Sequence, residues 1–98
     1  MATNNLMIVD DERVIQELCS EILTRAGYSV LTADNGMEAL KLLQKSQVDI
    51  VFVDLKMPIM GGLELLEIIK RDFPMPEVII ITAYATIENA VEAMKMGA

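Results

Sequence analysis

The sequence predicts an α/β domain built on a parallel sheet with helices on both faces. Three observations carry this. Short apolar runs alternate with stretches of about ten to fifteen residues in which apolar residues recur at helical spacing. Most of the runs are apolar at nearly every position, as strands buried on both faces must be. And the strongest runs stop abruptly at polar residues: Asp10, Asp54 and Thr82.

Leu6-Met7-Ile8-Val9 reads as strand one, closed by Asp10-Asp11. From Glu12 to Ala26 the residues Val14, Ile15, Leu18, Cys19, Ile22 and Leu23 repeat at helical spacing, and Gly27 is a normal helix stop. Cys19 falls on the stripe expected to be buried and reads as inert packing. Tyr28 to Thr32 alternates and is less apolar, which suits a sheet edge. Asp34-Asn35-Gly36 is turn chemistry, followed by a helix from Met37 to about Lys45 with Leu40 and Leu43 inward. Val48 to Val53 is strand three, ending at Asp54. Gly62 to Asp72 is helical, with Leu65, Ile68 and Ile69 on one face, and Phe73-Pro74-Met75-Pro76 breaks it. Val78 to Ile81 is strand four. A last helix starts near Thr86, a suitable N-cap. It carries Ile87, Ala90, Val91 and Met94 at i, i+3, i+4 and i+7, expected to face the sheet. Glu88, Glu92 and Lys95 are then left toward solvent or a partner.

Composition narrows the chemistry. Ninety-eight residues suffice for one sizeable core. Eight basic against fifteen acidic side chains leave a net charge of −7. Such a surface repels phosphate backbones and anionic lipid, so neither nucleic acid nor a membrane is expected as a direct partner. No apolar run approaches the roughly 20 residues of a membrane helix. The first residues carry no basic group, so no secretory leader is expected. A single cysteine excludes an internal disulfide and suits a reducing, cytoplasmic setting. The absence of histidine removes the commonest general base and zinc ligand from this chain.

In a parallel sheet covered on both faces, all strands end at one edge, where ligands bind. Asp10, Asp11, Asp54 and Thr82 are therefore expected to converge if strand one lies beside strand three. Crowded carboxylates repel one another and call for a cation. An all-oxygen donor set points to a hard ion, Mg²⁺ first, with Ca²⁺ or Mn²⁺ behind. An aspartate beside such an ion can attack a phosphoryl group, and the Thr82 hydroxyl can donate to a phosphoryl oxygen. Taken singly, Asp10 or Asp11 also suits capping of the first helix.

Val9-Asp10-Asp11-Glu12, Val53-Asp54-Leu55-Lys56-Met57-Pro58 with Gly61-Gly62, and Ile81-Thr82-Ala83-Tyr84 together resemble the receiver domain of two-component response regulators. The resemblance spans the chain. It implies a flavodoxin-like, doubly wound parallel sheet in the order 2-1-3-4, with a fifth strand beside strand four in the family. It implies Asp54 as phosphoacceptor, Asp11 as a direct Mg²⁺ ligand and Asp10 as a water-mediated one. The Lys56 backbone carbonyl completes that site, and Thr82 is the switch hydroxyl. It implies a sensor histidine kinase as phosphodonor. Residues Ala83 to Ala98 resemble receivers of enhancer-binding activators, which implies an output ATPase and DNA-binding module in the parent protein.

The family continues past this Gly-Ala with a fifth strand, a lysine followed by proline, and a fifth helix. No residue here matches that lysine, so residues 1–98 are expected to form a receiver incomplete at its C-terminus. The second reading is a phosphorylation-incompetent pseudo-receiver or interaction fragment. Strand four would then be an open edge, covered by another copy through strand four or helix four, or by further chain. Two other readings fit less well. A flavodoxin needs a phosphate-cradling first loop, which Asp10-Asp11-Glu12 would repel. A haloacid-dehalogenase-type phosphatase needs an acid two residues after its nucleophile, where Lys56 stands.

Overall fold

The computed structural model describes residues 5–55, 57, 59–73, 75–81, 91, 94, 95 and 97. Four parallel strands, β1 (Asn5–Val9), β2 (Ser29–Ala33), β3 (Ile50–Val53) and β4 (Glu77–Ile80), lie in the order β2-β1-β3-β4. Between them run α1 (Arg13–Arg25), α2 (Gly36–Lys45) and α3 (Gly62–Asp72). This is the doubly wound order expected, with the less apolar β2 at one edge. The register is unbroken: Val9 pairs with Ala33 on one side and Val53 on the other, and Val53 pairs with Ile80. All carboxyl ends therefore meet at one edge, which places the residues following β1 and β3 side by side.

Local chemistry sets the element boundaries. α1 ends at Ala26, and Gly27 takes φ +100, a left-handed conformation a side chain would resist. The Tyr28 N–H then reaches back to the Leu23 carbonyl at 3.1 Å, closing the helix end. α2 starts one residue earlier than expected because the Asn35 side chain accepts from the Glu38 N–H at 2.9 Å. Asp49 starts β3 by bonding β1: its carboxylate accepts from the Asn5 N–H, and its own N–H donates to the Asn5 carbonyl, both at 2.8 Å.

The core lies between the sheet and α2 with α3. Met7, Val9, Val51, Val53 and Val78 meet Ala39, Leu43, Leu65, Leu66 and Ile69, all buried. Leu66 replaces Ile68 in the expected trio, and Ile68 and Leu40 are only half-buried. On the opposite face Leu6 and Ile8 are buried.

Two sequence expectations need correction. The apolar stripe of α1 is not buried as a whole: Val14, Leu18 and Ile22 are 73%, 53% and 58% exposed, and Cys19 is half-buried. The stripe holds two rows of side chains, and only one can face the sheet. Val91 and Met94, expected against the sheet, are exposed as well. The turn at Gly97 sits against α3, where a side chain at that position would meet Lys70 Cε at 3.2 Å. Helical periodicity marks an apolar face; it does not supply the surface that covers it. Ile87, Ala90, Glu88, Glu92 and Thr86 lie outside the described residues. No helix among the described residues is long and apolar enough to cross a membrane.

Candidate metal centre

Strand pairing builds the site. The Asp10 N–H donates to the Ala33 carbonyl at 3.1 Å, and the Asp54 N–H donates to the Val9 carbonyl at 3.1 Å. Each aspartate thus continues the ladder one residue past its strand and presents its side chain at the carboxyl edge. One carboxylate oxygen from each of Asp10, Asp11 and Asp54 lies within 4.8 Å of the others. Asp10 and Asp54 are buried and Asp11 is exposed, so the cluster has a wet side through which an ion can enter.

The loop after β3 is held from below by α3. The Gly62 N–H donates to the Leu55 carbonyl at 2.9 Å. A Cβ on Gly62 would collide with the Asp54 carbonyl oxygen and approach Leu55 Cα to 2.7 Å. Only glycine lets the helix start this close to the Asp54 backbone. In the same loop Ile59 has φ +73, the only non-glycine with positive φ among the described residues.

Asp10 does two things at once. Its Oδ1 accepts from the Glu12 N–H at 2.9 Å, an Asx turn that leads into α1. The capping reading of Asp10 or Asp11 does not hold: Glu12 is the N-cap residue and makes no side-chain cap, and Asp10 bonds the N–H of that cap residue rather than one of α1. Burial pushes the Asp10 carboxyl above its usual value; the Glu12 N–H opposes this, and the charges of Asp54, Asp11 and Glu12 add to it. A group pushed this way is one that a cation would relieve. Three convergent carboxylates with no nitrogen or sulfur donor fit a hard divalent ion. Lys56 and Thr82, the other two predicted site residues, lie outside the described residues.

Sequence reasoning missed Gln16. It is 3% exposed and the only buried residue of α1. Its amide nitrogen lies 2.6 Å from the Asp10 carbonyl and 2.7 Å from Asp34 Oδ1. Spacing held the signal: Gln16, Cys19 and Leu23 stand at i, i+3 and i+7, one row of the helix.

Fold and cluster together define a doubly wound α/β domain with an acidic, oxygen-only pocket at the carboxyl edge of its two central strands. The chain belongs to the response regulator receiver domain family, which residues 6–98 match. Members are two-component signalling domains, phosphorylated on aspartate, that bind Mg²⁺ at an acidic site. A putative NtrX-like response regulator of Rickettsia bellii is 42% identical over 100 residues, covering all of this chain and 21% of that protein. The chain spans about a fifth of the length of such relatives, which include transcriptional regulators with output domains. Among solved structures, a Burkholderia pseudomallei response regulator with a phosphorylated aspartic acid and a calcium ion is 35% identical. It has a TM-score of 0.91, with 97% of this chain and 56% of that one covered. The response regulator TrrA of Thermotoga maritima, in complex with Mg²⁺ and BeF, is also 35% identical, with a TM-score of 0.86 and coverage of 94% and 80%.

Proposed function

We propose that this domain accepts a phosphoryl group from a histidine kinase onto Asp54 in the cytoplasm and thereby switches a partner-binding face. The observation that carries the reading is the convergence of Asp10, Asp11 and Asp54 on one small pocket. An Asp54 carboxylate oxygen attacks phosphorus in line with the bond to the donor imidazole. The P–O bond forms, the P–N bond breaks, and the imidazole leaves and takes up a proton. The chain has no histidine, so the phosphohistidine comes from the partner. Asp11 and Asp54 would hold Mg²⁺ directly and Asp10 through water, and by the family resemblance the Lys56 carbonyl would complete the set. When bound, the ion offsets the charge of the carboxylates and the phosphoryl oxygens.

The acyl phosphate adds about −1.5 to −2 charges at the sheet edge, by analogy with other phosphorylated side chains. Thr82 donates to it, and the segment from β4 onward shifts, as in other order–position switches. In the parent protein this surface would control an output ATPase and DNA-binding module. The domain assists its own phosphorylation and dephosphorylation and turns over no outside substrate.

Intact mass after incubation with a small-molecule phosphodonor and Mg²⁺ tests this. One added phosphoryl group, absent in Asp54→Asn, supports it. Mg²⁺ binding without any mass gain would replace it with a pseudo-receiver that works by interaction alone.

A further inference from the structure

Gln16 stands apart from the rest of α1. Its neighbours on the helix are exposed or half-buried, yet its neutral polar side chain is almost fully covered. A buried amide is costly unless its N–H groups are matched. Here two acceptors flank the nitrogen: the Asp10 carbonyl at 2.6 Å and Asp34 Oδ1 at 2.7 Å, with the Ala33 carbonyl further off at 3.4 Å. The two acceptors fix which end of the amide is nitrogen.

This bond completes the restraint of Asp10. Its N–H is held by the Ala33 carbonyl, its Oδ1 by the Glu12 N–H and its carbonyl by the Gln16 amide. The peptide joining Asp10 to Asp11 is thereby fixed at its oxygen. Rotation of that peptide would swing the Asp11 carboxylate relative to Asp54. On the far side, Asp34 is held by Arg13 at 3.2 Å on the protein surface. A continuous chain of bonds thus runs from Arg13 through Asp34 and Gln16 to the backbone of the acidic pocket.

We propose that Gln16 is a positioning residue: by clamping the Asp10 carbonyl to Asp34 it sets the spacing of the Asp10 and Asp11 carboxylates from Asp54, and so the affinity of the pocket for a divalent cation. This rests on the pocket being a cation site. Groups that orient metal ligands without touching the metal matter about 10–100-fold in affinity.

The test is calorimetric titration of the 98-residue chain with MgCl₂, beside thermal melts of each variant without metal. Gln16→Met keeps the volume and removes both donors; it should weaken Mg²⁺ binding about tenfold. Gln16→Arg restores two donors and should recover most of the affinity. Gln16→Asn, which keeps an amide but draws it back by one methylene, serves if the methionine variant does not fold, and should also weaken binding. Ile15→Val, a packing change on the same turn, should lower the melting temperature and leave Mg²⁺ affinity unchanged. If Gln16→Met and Gln16→Asn bind Mg²⁺ as the parent does, Gln16 is a packing residue only and the inference is wrong. If the parent chain itself binds no Mg²⁺, the cation reading of the pocket fails first.

Discussion

The two faces of the sheet are built to different standards. On the α2–α3 face, Met7, Val51, Val53, Leu65, Leu66 and Ile69 are completely covered. On the α1 face, Phe52 is half-buried, Ile79 and Ile81 are 43% and 49% exposed, and an apolar groove of about 180 Å³ runs from Ile22 and Leu23 to Ile81. The difference is geometric. A helix is about 10 Å wide and strands lie about 4.8 Å apart, so one helix roofs about two strands. Two helices close a four-stranded face; one helix does not. Among the described residues α1 packs mainly over β1 and β2, and its edge borders a groove lined by Phe52, Val53 and Ile81. Asp10 and Asp54 of the acidic pocket line the groove on the α1 side.

Truncation on the two faces should give the largest contrast. Leu66→Ala opens a cavity in a closed core and should cost about 2–5 kcal/mol. Leu18→Ala, on the exposed row of α1, should stay within about 0.5 kcal/mol. Urea denaturation of both variants measures this. Equal losses would mean that the α1 face is as well covered as the other.

The contact between the closed face and the site comes next. Gly62→Ala drives a methyl group against the backbone of Asp54 and Leu55 and should cost about 1–3 kcal/mol. Because the displaced atoms belong to the loop that presents Asp54, Mg²⁺ affinity should fall with stability. Wild-type stability in Gly62→Ala would show that α3 can shift without strain.

Acidity sharpens the picture of the pocket itself. The folded-state pKa of Asp10 lies above its ordinary value of 3.8. The folded protein thus holds this proton more tightly than the unfolded chain. In metal-free protein the ionised group is a liability at neutral pH. That liability is relieved as pH falls through the raised pKa and is gone below the ordinary value. Asp10→Asn should therefore raise the melting temperature of the metal-free protein at neutral pH and remove this part of its pH dependence. Melts in EDTA from neutral pH downward check both. A lower melting temperature in Asp10→Asn would show that its bond from the Glu12 N–H outweighs burial and repulsion.

What the sequence disclosed follows the same division. Strand order and the meeting of Asp10, Asp11 and Asp54 were legible because parallel strands end together and each aspartate stops an apolar run. The closed face was legible through Leu43, Leu65 and Ile69. The open face was not, because Val14, Leu18 and Ile22 have the same period whether or not a neighbour covers them. Gln16 was hidden for the opposite reason. A polar residue on an amphipathic helix reads as solvated, and its acceptors, Asp10 and Asp34, come from two loops that only the fold brings together. The Asn35 cap was written in Asn35-Gly36-Met37-Glu38, a pattern of cap residue and acid three positions on.

Ile59 offers the smallest and most pointed test. It is 78% exposed, yet it belongs to the loop of the closed face and precedes Met60, which is buried in that core. Exposure here does not come from a missing roof. It comes from φ +73, which turns the side chain outward so that Met60 can turn in. A β-branched residue in this conformation costs about 1–2 kcal/mol. Glycine removes that cost but frees the unfolded chain, which takes back about 0.5–1 kcal/mol. Ile59→Gly should therefore stabilise the domain slightly, by about 0.5–1 kcal/mol, and Ile59→Asn by less. The same change at Leu18, in the regular backbone of α1, should destabilise by about 1 kcal/mol. Two exposed apolar residues would then respond with opposite signs. A loss of stability in Ile59→Gly would mean that the isoleucine side chain packs usefully despite its exposure, and that the loop is not strained.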